Sequence, residues 1–154
     1  MQEIRVEGLD AIISKLEESP EVFREARARK LETIGEELLG RVQSRIGGTG
    51  DISSRQEYRI GSGKGYVAVR PKAKDYLVSA GGKRYAAGAV TNAIEGGHAI
   101  RGPSGAAKFK YRPRIRVARV PGKYMYQNTE PDAELLAGEA GTQIAAEVVR
   151  KLEE

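Results

Sequence analysis

The chain has 154 residues, long enough to bury roughly 70% of its unfolded surface without covalent staples. It contains no cysteine, which excludes disulfides, cysteine-ligated zinc and thiol catalysis; that absence is compatible with an intracellular compartment. No stretch approaches the ~20 apolar residues of a membrane span, and the N-terminus lacks the apolar core of a signal peptide.

The net charge of +5 is modest, but it is unevenly spread. Residues 1–46 carry 8 basic and 10 acidic groups, and residues 47–97 carry 8 and 4. Residues 98–129 carry 8 and none, and residues 130–154 carry 2 and 7. Acidic ends around a basic middle would let one copy's acidic face meet another's basic one, or would make a monomer dipolar.

In chain order, Gln2–Glu7 alternates as a short strand with Ile4 and Val6 on one side. Leu9, Ile12, Ile13 and Leu16 then recur at helical spacing, a short amphipathic helix. Ser19-Pro20-Glu21 predicts the start of a second helix, with an N-cap, a first-turn proline and a first-turn carboxylate. Its stripe (Val22, Phe23, Ala26, Leu31, Ile34, Leu38, Val42, Ile46) ends at Gly47-Gly48, a length of about 40 Å. Strands at Arg55–Ile60 and Tyr66–Arg70 flank Gly61–Gly65 as a hairpin, and Asp75–Ala80 is a third strand. Ala86–Glu95 has a short helical pattern (Ala86, Val90, Ala93, Ile94) closed by Gly96-Gly97. Thr129-Glu-Pro-Asp132 has capping-box spacing and opens a last helix, with a stripe of Leu136, Ala140, Ile144, Val148 and Leu152. The order predicts one α+β domain over 1–154. In it a small antiparallel sheet packs on a long N-terminal helix and a C-terminal helix, with a mobile basic arm at about 98–123.

The arm carries Arg101, Lys108, Lys110, Arg112, Arg114, Arg116, Arg119 and Lys123 without one acid. From Tyr111 to Val117 the residues alternate, with Arg112, Arg114 and Arg116 on one side and Pro113 and Ile115 on the other. Gly102–Ala107, ahead of it, is rich in breakers; disorder is expected there in the free protein, with ordering on assembly. Arginines beside Phe109, Tyr111, Tyr124 and Tyr126 suit a polyanion, since one contacts phosphate while the other stacks on bases. They equally suit a solvated arm that pairs with acids of a neighbouring chain.

Chemistry finds little footing. Glu95-x-x-His98 could place two metal ligands on one helical face, but Gly96-Gly97 interrupts it and no second histidine exists. Ser62 and Ser104 lack a nucleophile-elbow frame. Gly61-x-Gly63-x-Gly65 lacks the ending of a phosphate loop. Glu57, Asp75 and Glu95 show no spacing that favours acid–base work. The residues therefore predict no enzyme, no metal and no cofactor.

Several pieces taken together resemble the bacteriophage tail-component family, the tail-completion or head–tail joining proteins of long-tailed phages. Val6-Glu-Gly-Leu-Asp10 running into helices looks like that family's start, and Gly48-Thr-Gly50 is similar to its Asp-Thr-Gly turn, with Gly48 in place of the aspartate. Tyr85 to His98 resembles its short helix ending in Glu-aromatic-Gly-His, with Gly96 in place of the aromatic. Val120-Pro-Gly-Lys-Tyr-Met125 is similar to its lead-in to the last helix.

The resemblance implies a structural virion protein of the neck or tail, present in the host cytoplasm during assembly. It implies a homo-oligomeric ring, often hexameric, that meets connector and tail-tube proteins, with non-specific contact to DNA in transit and no membrane. The residues expected to line the lumen or meet the partner ring are Arg101, Lys108, Lys110, Arg112, Arg114, Arg116 and Arg119. The competing class is a small nucleic-acid-binding module that uses the basic 98–123 arm, and a toxin-like or regulatory prophage protein is a third.

Overall fold

The computed structural model describes residues 9–48, 50–99 and 119–154; of residues 9–18 and 50 the backbone alone is described. The order is helix α1 (Leu9–Ile46), a 3-10 turn (Gly50–Arg55), strands β1 (Gln56–Ile60), β2 (Val67–Pro71), β3 (Tyr76–Val78) and β4 (Arg84–Ala86), and helix α2 (Ala87–Gly96). Strands β5 (His98–Ala99) and β6 (Arg119–Val120), a 3-10 turn (Gln127–Thr129) and helix α3 (Glu130–Glu153) follow. The class is α+β, as expected. The strands pair two by two, β1 with β2, β3 with β4 and β5 with β6, rather than as one sheet. The expected strand at Gln2–Glu7 lies outside the described residues.

One expectation fails at the N-terminal end. Ser19-Pro20 opens no new helix: α1 runs through Pro20 for 38 residues, about 57 Å. A proline costs a helix one backbone hydrogen bond and crowds the carbonyl four residues back, yet its fixed φ is itself helical. The helix stops where Gly47 takes φ 60° and its N–H returns to the Gln43 carbonyl at 3.1 Å.

The chain divides into two compact units: Met1–Leu38 with Tyr58–Ala68 and Pro131–Glu154, and Leu39–Glu57 with Val69–Glu130. In the first, Ala26, Leu38, Ala140 and Ile144 are buried, and Arg29 bridges from α1 to Glu147 of α3 at 2.5 Å. Gly35 is required there: a Cβ would stand 2.5 Å from the Tyr58 ring. The hairpin tip turns as expected, with Lys64 N–H donating to the Gly61 carbonyl at 2.8 Å and Gly61 N–H to that of Tyr66 at 3.0 Å.

The second unit holds the main core. Val42 and Ile46 from α1, Ile52, Ala87 and Met125 are fully enclosed, with Val69, Leu77, Val90, Ile94 and Tyr126 packed against them. Burying each large side chain is worth about 1.5–3 kcal/mol. Through the core runs a hydrogen-bonded chain. The Tyr126 hydroxyl donates to Gln56 Oε1 at 2.5 Å, Gln56 Nε2 donates to Ile52 O and Thr91 Oγ1, and Thr91 donates to Ala87 O. Helix α2 buries Ala87 and Thr91, and the expected Val90, Ala93 and Ile94 are half-buried, while the expected Ala86 is exposed. Ala86 instead ends β4, a strand not anticipated, and Ala87 N–H donates to the Asp75 carbonyl at 2.9 Å.

Candidate interaction surfaces

Of the expected interaction residues, Arg101, Lys108, Lys110, Arg112, Arg114 and Arg116 lie outside the described residues, as do Gly102–Ala107, Phe109 and Tyr111. Arg119 is described and belongs to the root of the basic segment. There β5 and β6 pair antiparallel, His98 opposite Val120 and Ala99 opposite Arg119, which holds the two flanks of residues 100–118 side by side. Arg119 Nη2 donates to the Gly96 carbonyl at 3.0 Å.

The root is tied down backbone to backbone. Gly97 takes φ 72°, and a Cβ on Gly122 would lie 2.7 Å from Gly96 C and 2.8 Å from Gly97 N. Only glycines let two chains approach so closely. Lys123 N–H donates to Ile94 O at 2.8 Å and Tyr124 N–H to Glu95 O at 3.1 Å, so the returning strand caps the end of α2. Lys123 Nζ reaches the Ile46 carbonyl at 2.6 Å, a cation at the negative end of α1.

Glu95 has a structural task. Its carboxylate accepts the backbone N–H groups of Tyr126 at 3.0 Å and Gln127 at 3.1 Å, capping the helical turn that leads into α3. The expected capping box is therefore corrected. The Thr129 hydroxyl donates to Met125 O and accepts from Arg45 Nη1, both at 2.6 Å, because the 3-10 turn before it has already begun the helix. Burial first, and then the charge of Glu95, pushes the Tyr126 phenol up to about 12.

The other weighed carboxylates go separate ways. Glu57 accepts from Arg70 Nε at 3.2 Å. Asp75 accepts from the Arg55 guanidinium and from Tyr76 N–H, and the Arg55 hydrogen bond holds its carboxyl below the usual range. His98 is exposed at the segment's root, and among the described residues no group of three or more His, Asp or Glu is placed to hold a metal.

A second surface, on β3 and β4, was not anticipated. The register sets Val78 opposite Arg84 and Tyr76 opposite Ala86, so Tyr76, Val78 and Arg84 share the face turned away from Leu77 and the core. Arg84 stacks over the Tyr76 ring at 4.3 Å, and on the other face Lys83 lies over Tyr85 at 5.3 Å. Val78 is 65% exposed. Beside the hairpin, Arg70, Lys72, Lys74, Tyr76 and Asn92 border an open groove of about 440 Å³. Residues 58–94 hold seven cations and a single acid, Asp75, which Arg55 already occupies. That imbalance is the signal by which the sequence could have marked this surface.

Comparison of the chain with protein-family models, with curated proteins and with solved structures finds no match. Among the described residues, no helix is long and apolar enough to cross a membrane.

Proposed function

We propose that the chain is a structural virion-assembly protein that joins head or neck to tail, or completes the tail tube, as a subunit of a homo-oligomeric ring. The observation that carries this reading is the root of the basic segment. A stretch of seven cations and no acid (Arg101 to Arg119) is flanked by β5 and β6. Its base is clamped by Gly97, Gly122, Lys123 and Glu95. Cations on a segment anchored at both flanks suit contact with DNA or with an adjoining ring. The acidic α3, with seven acids in residues 130–154, supplies the opposite sign for contact between copies.

The test is deletion of the gene from the phage or prophage that carries it, with the lysate viewed by negative-stain electron microscopy. Filled heads beside detached or abnormally long tails are expected. Intact infectious particles would end this reading and bring forward the nucleic-acid module, whose mark is oligonucleotide binding that falls steeply as salt rises.

A further inference from the structure

We infer that the outer face of the β3–β4 hairpin is a docking site for helix α3 of a second copy of this chain. The inference rests on the ring-forming reading above, and names the surface through which one subunit would hold the next.

The hairpin presents a small apolar centre with a basic border. Tyr76 and Val78 are exposed, and no carboxylate among the described residues pairs with Lys74, which borders the groove beside Tyr76, or with Arg84. Helix α3 presents the complement. Its buried side carries Ala140 and Ile144, and Leu135, at about 180° from Ile144 around the helix, is 59% exposed. Glu134 and Glu139 flank Leu135 and have no ion-pair partner among the described residues. From Glu130 to Val149 the helix has five acids and no base. An apolar residue between carboxylates thus matches an apolar residue between cations in sign.

Nucleic acid fits this face less well. Arg84 already covers one side of the Tyr76 ring, which a base would need for stacking, and Val78 at the centre offers no polar group to a phosphate. Because hairpin and helix are different patches of the same chain, the contact is heterologous. It propagates from copy to copy and closes as a ring or runs on as a filament.

The chain's lack of cysteine makes the test direct. The single variants Val78→Cys and Leu135→Cys are purified separately, mixed and mildly oxidised, and disulfide-linked dimers are identified by mass. A bond joining one variant to the other can form only between copies. The mixed dimer is expected to dominate over both homodimers. Adding Glu134→Lys and Glu139→Lys to the Leu135→Cys chain should weaken its formation about tenfold, as exposed pairs are replaced by like charges. Adding Lys74→Glu and Arg84→Glu to the Val78→Cys chain should restore it, which misfolding could not do.

Homodimers dominating, no cross-link at all, or a cross-link indifferent to the charge swap would each overturn the inference. So would salt-sensitive oligonucleotide binding lost in Lys74→Glu/Arg84→Glu while the mixed dimer is absent, which would give the face to nucleic acid. A dominant mixed dimer beside normal particles in the deletion lysate would remove only the virion reading and leave the interface standing.

Discussion

The carboxylate of Glu95 accepts the backbone N–H of Tyr126 at 3.0 Å, and its charge adds to burial in holding that residue's phenol neutral. The end of one helix thereby caps the start of the next, across 31 residues of chain. Between the two positions lies the whole basic segment, so Glu95 and Tyr126 close its base.

Removing this cap has a defined cost. Glu95→Ala leaves two N–H groups without their charged acceptor and should destabilise the fold by about 1–2 kcal/mol. Glu95→Gln keeps an acceptor oxygen and should lose less. Urea unfolding measures both, and amide exchange should quicken first at Tyr126 and Gln127. An alanine variant as stable as the parent would show that the cap contributes nothing.

Tyr126 sets a limb of the pH–stability curve. Its phenol titrates at about 12 in the fold against 10.0 ordinarily. As pH rises the unfolded chain releases this proton first, so between those values the unfolded state binds fewer protons and stability falls. Below pH 10 the contribution is fully present. Tyr58, raised by burial and by Glu32 and Glu36, adds in the same direction. The Tyr126→Phe variant isolates the first term: its curve should decline less steeply than the parent's from pH 10 to 12, and parallel curves would contradict the assignment.

The glycines divide by what surrounds them. Gly122→Ala would drive a methyl group into the backbone at Gly96–Gly97 and should cost about 1–3 kcal/mol or more. Gly141, exposed within α3 with nothing within 4 Å, should behave oppositely. Gly141→Ala is expected to raise stability by about 0.5–1 kcal/mol through helix propensity. Thermal unfolding of the two single variants checks both signs.

For the assembly reading, the triple variant Arg112→Glu, Arg114→Glu, Arg116→Glu is expected to abolish joining. Its monomer should unfold at the temperature of the parent. Complementation of the deleted phage decides this, and normal particles would sink the proposed role of those arginines.

Local patterns in the sequence determined much of the architecture. The stripe Leu38, Val42, Ile46 along α1, the glycine stop at Gly47, the hairpin about Gly61–Gly65 and the α3 face of Ala140 and Ile144 all follow from the side-chain periods of helix and strand. Where a local signal had two outcomes, tertiary structure chose. Ser19-Pro20 reads as a helix start, yet proline's φ also permits a helix to pass, and α1 runs through it. Thr129 reads as a cap, yet its hydroxyl is spent on Met125 and Arg45. The binding of Glu95 to Tyr126, of Tyr126 to Gln56 and of Gly122 to Gly97 leaves no trace in any short window. Each joins residues more than twenty positions apart, and only the closed core decides which distant polar group or bare backbone will be brought within reach.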